Sequence, residues 1–120
     1  EVRCFSGLPN LQTLILALCR QVRGDLQGLA PLVQLRHLNL SMTRVSGDVK
    51  ALATLVRLQH LELNFTRVSG DVKGFAPLVR LDRLHLNNTG VSGNARAFAL
   101  LVNLRHLNIW NTKVTGNFKA

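Results

Sequence analysis

The sequence predicts an α/β solenoid, with one parallel β-sheet on its concave face and short helical or 3₁₀ turns on its convex face. Three observations predict this fold. One phrase recurs at 23-residue intervals, leucines alternate with polar residues inside it, and a glycine followed by Asp or Asn stands at a fixed position after it. A fixed period of this length is typical of repeat proteins, whose units bury a shared core by stacking.

The repeated phrase sets the boundaries of the units. It reads "LVQLRHLNL" from Leu32, "LVRLQHLEL" from Leu55, "LVRLDRLHL" from Leu78 and "LVNLRHLNI" from Leu101, with a looser copy, "LPNLQTLIL", from Leu8. The predicted repeats of this single segment, 1–120, are 8–31, 32–54, 55–77, 78–100 and 101–120, preceded by a partial repeat, 1–7. Neither end carries a polar capping repeat, so we expect further repeats or neighbouring subunits to cover the ends.

Each unit predicts a strand, a turn and a short helical segment, in that order. The LxxLxL part alternates apolar and polar residues, as a half-buried strand does. A glycine column follows, where we expect a turn with positive φ. The Asp or Asn after each glycine is suited to cap a short helix or 3₁₀ turn, which Pro31 and Pro77 then end. The glycine column comprises Gly24, Gly47, Gly70, Gly93 and Gly116.

The repeat resembles the leucine-rich repeat family over the whole chain. The family phrase LxxLxLxxN/CxL is matched by Leu35, Leu38, Leu40, Thr43 and Val45, and the "VSGDV" tail is similar to the plant-type subclass. The resemblance implies a right-handed solenoid and a general habit of binding proteins.

Threonine replaces the family's asparagine in four copies, and Cys19 fills the position in the first copy. We expect the threonine hydroxyl to bond the backbone of the neighbouring coil. For Cys19 we favour a small buried filler over a redox or metal role.

Large apolar residues occupy columns that should face outward from the concave sheet. Ile15, Leu18, Met42 and Phe65 form a predicted apolar strip, and Trp110 adds an aromatic anchor on the last strand. Exposed apolar residues rimmed by polar ones usually mark an interface. An N-terminal extension or cap that covers the strip is the alternative interpretation.

Polar residues on the same face would supply orientation and specificity. They are His37, His60, Glu62, Arg83, His85 and Asn108. His37 and His60 should be lateral neighbours, and with Glu62 they could hold a metal ion. We favour repeated polar residues that hydrogen-bond along the sheet, so we predict no metal and no cofactor. Mild pH sensitivity of binding is the more plausible consequence of the histidines.

The chain is strongly basic, with a formal net charge of +9. Arg20, Arg44, Arg67 and Lys113 form one ladder at the edge leaving the sheet, and a second ladder of Lys50, Lys73, Arg96 and Lys119 should lie on the convex side. The ladders either solvate the array or dock a polyanion such as RNA, a nucleoprotein or an anionic membrane-complex surface.

Several classes of function lack their signatures. There is no P-loop, no strand-linked GxGxxG, no HExxH and no nucleophile elbow, and no apolar run has the length of a membrane span. The compartment stays open. The sequence therefore predicts a non-enzymatic protein-binding or scaffolding module that uses the concave face, able to act within a larger assembly. The alternative is a polyanion-docking accessory subunit that uses the basic edge.

Overall fold

The computed structural model describes residues 1–116, which form a stack of coils measuring 43 × 25 × 18 Å. Each coil contributes two strands and is followed or preceded by a 3₁₀ helix. The strands in chain order are β1 Thr13–Ile15, β2 Arg23–Asp25, β3 His37–Asn39, β4 Arg44–Asp48, β5 His60–Glu62, β6 Arg67–Asp71, β7 Arg83–His85, β8 Gly90–Asn94, β9 His106–Asn108 and β10 Lys113–Thr115. The 3₁₀ helices are Val2–Gly7, Leu26–Leu29, Val49–Leu52, Val72–Phe75 and Ala95–Leu100.

The first sheet contains the predicted strands in the order β1-β3-β5-β7-β9, all parallel. Its register pairs identical positions of successive repeats: Leu38 faces Leu61, and His37 faces His60. The columns inferred from the 23-residue period are therefore real columns in space, and the predicted solenoid is confirmed.

A second parallel sheet, β10-β8-β6-β4-β2, lies where the sequence predicted only a turn. Its strands carry the "VSGD" letters, which do not show the alternation of a half-buried strand. They pair because the stack brings equivalent backbone segments side by side, as in the 2.9 Å bond from the Arg44 amide to the Val22 carbonyl. The expectation of a single sheet was incomplete for this reason.

Four of the five described 3₁₀ helices begin directly after a predicted capping residue, and the exception is Val2–Gly7. The Asp48 carboxylate accepts a hydrogen bond from the Lys50 amide at 2.9 Å, and Asp25, Asp71 and Asn94 make the equivalent bond. The helix Leu26–Leu29 ends two residues before Pro31. Each cap satisfies a backbone donor that the short helix leaves unpaired.

The glycine column packs against the caps of the preceding coil. Gly47 has φ +104°, and a Cβ built there would lie 2.6 Å from a carboxylate oxygen of Asp25. The same arrangement links Gly70 to Asp48 and Gly93 to Asp71. The "GD" letters therefore join consecutive coils: each glycine leaves room for the acid of the coil before it.

The core is a ladder of leucines and valines enclosed between the two sheets and the 3₁₀ helices. Leu38, Leu61 and Leu84 are essentially fully buried, as are Val45 and Val68, which belong to strands β4 and β6 of the second sheet. In the outermost described coils, Leu8 and Leu107 are exposed, because a coil at the end of the stack has a neighbour on one side only.

Two local predictions were wrong. The hydroxyl of Thr43 donates to the Leu40 carbonyl of its own coil at 2.7 Å, not to the neighbouring coil. The chain reverses between these residues, which brings the hydroxyl back to the end of the strand. Cys19 is exposed, not buried, because its coil carries the edge strand β1. The prediction for Lys119 lies outside the described residues.

Candidate protein-binding surface

A column of left-handed residues follows the strands of the first sheet. Leu18, Met42 and Phe65 have φ values of 68°, 58° and 58°. The next two members, Asn88 and Asn111, are of a residue type that adopts this conformation readily. For a large apolar residue, the left-handed conformation costs about 1–2 kcal/mol more than the right-handed one.

Backbone hydrogen bonds fix this conformation. The amides of Leu18, Met42 and Phe65 donate to carbonyls of the following coil at 2.9–3.0 Å. The stack therefore imposes the left-handed turn whatever side chain is present, and these three side chains remain substantially exposed, at 69%, 42% and 46%.

The same three side chains line a groove of about 360 Å³. The guanidinium-bearing residues Arg20, Arg44 and Arg67 line it too, two positions further along each coil. The remaining lining residues, Thr43 and Thr66, are buried and direct their hydroxyls to backbone carbonyls. The apolar strip and the basic edge, which the sequence suggested as two surfaces, thus meet in one groove.

The groove is lined by positive charge, and the nearest acid in an adjoining depression is Glu1, which lies there with Arg20 and Arg44. Within residues 1–116, none of its three arginines forms an ion pair with a carboxylate, and none of its lining residues is acidic. Exposed guanidinium groups of this kind are available to an incoming ligand.

The structure separates other predicted residues from the groove. Ile15 lies within β1 and pairs with Asn39. Trp110 is 71% exposed just after β9, where its amide donates to the Asn108 side chain at 3.0 Å. Lys113 begins β10 and continues the basic ladder beyond the groove. These three residues stay predictions as contact residues.

Two separate groups of polar contacts, together called the polar network here, lie along the first sheet: one joins His37, His60 and Asp82, and the other joins Glu62 and His85. The Nδ1 atoms of His37 and His60 lie 2.9 Å apart, so one ring donates and the other accepts. His60 Nε2 is 3.7 Å from an Asp82 carboxylate oxygen, and His85 Nδ1 is 3.4 Å from a Glu62 carboxylate oxygen. The sequence grouped the histidines correctly but did not assign Asp82 to them.

The electrostatics of the network disfavour a charged His37. Partial burial lowers the pKa of His37, and the neighbouring positive charges of His60 and Arg36 lower it further. A neutral His37 is consistent with its short contact to the second imidazole. In the register of the first sheet, Arg83 lies opposite His60 of β5 and His106 of β9. It therefore belongs to the same polar face.

The described residues contain neither a metal-binding cluster nor a helix that could span a membrane. In the described part of the chain, no group of three or more His, Cys, Asp or Glu side chains could hold a metal ion. Over the same residues, no helix is long and apolar enough to cross a membrane.

Two further surface features were not anticipated. One is a polar depression of about 560 Å³ beside the last described coil, where Asp82 lies with Arg80 and Arg105. The other is an exposed column of valines. Each valine comes four residues before a strand of the first sheet, whereas the groove residues follow the strand: Val33, Val56, Val79 and Val102. The signal for the column was present in the repeated "LV" letters.

Comparison with known proteins finds its matches among solved structures. No family model matches the sequence, and no curated protein is significantly similar to it. Internalin C2 from Listeria monocytogenes is 26% identical with a TM-score of 0.83, over 96% of this chain and 49% of that one. The ectodomain of the receptor kinase SOBIR1 from Arabidopsis thaliana is 24% identical with a TM-score of 0.83, over 95% of this chain and 64% of that one.

A plant peptide hormone receptor, RGFR1 in complex with RGF2, is 24% identical with a TM-score of 0.81, over 97% of this chain and 19% of that one. The present chain spans less than two thirds of the length of each of these proteins. Their common architecture is the stacked coil with a parallel sheet described above.

Proposed function

We propose that this chain, which has the leucine-rich repeat fold, acts as a non-enzymatic protein-binding module through the concave sheet and the groove at its edge. The observation that carries the proposal is the left-handed column. Leu18, Met42 and Phe65 hold large apolar side chains in a conformation that asparagine would adopt at lower cost, and they hold them exposed.

Departures from local conformational preference concentrate at functional sites. The fourth and fifth members of the column are asparagines, so the fold does not require an apolar residue there. Apolar residues that neither fill the core nor suit the backbone are best explained by contact with a partner.

The polar network beside the groove would supply specificity. His37, His60, Glu62, Arg83 and His85 lie half-buried in adjacent columns. Half-buried polar side chains held by their neighbours are suited to recognising hydrogen-bonding groups of a partner without large ordering costs. The similarity to a peptide hormone receptor supports a protein or peptide ligand.

Phe65→Asn tests the proposal. Asparagine keeps the left-handed backbone while removing the aromatic contact, so we expect partner affinity to fall by about 1–3 kcal/mol without loss of folding. Partners would be recovered by affinity purification from the cells that produce the protein and quantified by mass spectrometry.

Val79→Asn is the matched control, because Val79 is exposed to a similar extent, 48%, outside the groove. Equal recovery with wild type and Phe65→Asn, in the same extract, would contradict the use of this surface. A polyanion-docking role would instead show as heparin or RNA binding that disappears by about 0.5 M salt and is insensitive to Phe65→Asn.

A further inference from the structure

The groove joins two unlike walls along three coils. Leu18, Met42 and Phe65 form the apolar wall, and three arginines of the same coils form the cationic one. We infer that the groove binds an acidic protein segment in extended conformation, in which acidic and apolar side chains alternate. This inference rests on the proposed function and specifies the chemistry of the partner.

Charge complementarity favours an acidic occupant. The groove offers three guanidinium groups, unpaired within the described residues, on a chain of net charge +9. Arginine is the side chain best suited to carboxylates, because its planar fork makes two parallel hydrogen bonds. Acidic side chains would therefore neutralise the wall, whereas basic ones would be repelled.

The spacing of the walls favours an extended conformation. Adjacent strands of a sheet lie about 4.8 Å apart, so three coils span about 10 Å. An extended segment that crosses the strands rises about 3.3 Å per residue and covers this distance with about four residues. Its successive side chains point to opposite sides, so alternating acidic and apolar residues would meet the two walls at once.

A nucleic acid fits the groove less well. Its phosphates would satisfy the arginines, but Leu18 and Met42 would gain nothing from a phosphate–sugar chain. Phe65 is the one aromatic residue among those lining the groove, so continuous base stacking has no platform there. The mixed walls therefore favour a protein segment.

The test is fluorescence anisotropy on the full chain with defined labelled probes. The main probe is a synthetic peptide of about eight residues that alternates Asp and Leu, one strand's length. The comparison probes are a block peptide of the same composition, a peptide with Lys in place of Asp, and an oligothymidylate. We expect the alternating peptide to bind about tenfold more tightly than the block peptide.

Charge-reversal variants localise the binding. Arg44→Glu and Arg67→Glu should each weaken the alternating peptide by at least about tenfold. Lys50→Glu makes the same charge change at the 3₁₀ helix Val49–Leu52 and should leave binding within about twofold, after allowance for the general loss of net charge. Arg44→Gln replaces Arg44→Glu if circular dichroism shows that the reversal disturbs folding.

Any of the following results would overturn the inference: no binding of the alternating peptide, equal binding of the block peptide, or equal losses in Arg44→Glu and Lys50→Glu. Tighter binding of the oligothymidylate than of the peptide would overturn it in favour of nucleic acid. A captured partner that is lost with Phe65→Asn but kept with Arg44→Glu would leave the proposed function standing and remove this inference alone.

Discussion

Replacing Gly47 with alanine should destabilise the protein far more than an ordinary surface substitution. Gly47 has φ +104°, a backbone conformation that residues with a Cβ rarely adopt, and the new methyl carbon would lie 2.6 Å from the Asp25 carboxylate. The backbone strain costs about 1–3 kcal/mol. The Asp25 carboxylate now accepts a hydrogen bond from the Gln27 amide at 2.8 Å. Displacing the carboxylate would break this bond, at a cost of about 1 kcal/mol more.

The expected loss is therefore about 2–4 kcal/mol of the free energy of unfolding, a large part of the about 5–15 kcal/mol typical of a domain. Urea denaturation followed by far-UV circular dichroism measures it. Gly7→Ala is the control, since its φ is not in the left-handed region and a Cβ there would meet no atom within 4 Å. It should change stability by less than about 0.5 kcal/mol.

A double-mutant cycle separates the two contributions. Asp25→Ala removes the cap and should cost about 1 kcal/mol by itself. Combined with Gly47→Ala it also removes the obstructing carboxylate, so the pair should cost about 1 kcal/mol less than the sum of the single changes. A Gly47→Ala protein within about 0.5 kcal/mol of wild type would refute the claim that glycine and acid lock adjacent coils.

Three further outcomes are expected. Leu18→Asn should stabilise the fold by about 0.5–1 kcal/mol, because it relieves the left-handed strain, whereas Ile15→Asn, a similarly exposed change on β1, should not; urea titration compares them. Thr66→Val should cost about 1–2 kcal/mol by removing a buried 2.6 Å hydrogen bond, against less than about 0.5 kcal/mol for the exposed Thr54→Val, and an equal loss would contradict this. The lowered pKa of His37 means that the unfolded chain binds its proton first, so its contribution to stability is full above pH 6.5 and is lost as pH falls through the folded-state pKa. NMR titration of the imidazole should give a midpoint below 6.5, and His37→Gln should flatten the loss of stability as the pH falls below 6.5.

The periodic features of this protein could be predicted from its sequence alone. Leucines at fixed positions in a 23-residue unit have to meet their counterparts if they are to leave water, which determines the stack, the first sheet and its columns. The glycine turn, the capping acid and the short helical segment follow from local preferences of single residues, so they too could be predicted from the sequence. His37 and His60 could be paired in advance because both occupy one column.

The tertiary structure determined the features that depend on the path of the backbone between the columns of equivalent residues. The second sheet forms from segments without strand-like alternation, because stacking brings their backbones within hydrogen-bonding distance. The left-handed turn at Met42 places its side chain in the same groove as Arg44. The sequence pattern could not predict this, because it does not specify the backbone φ angle of Met42. Cys19 is exposed and Asp82 approaches His60 for the same kind of reason: burial and distance are set by neighbouring coils, and a residue's own coil does not specify them.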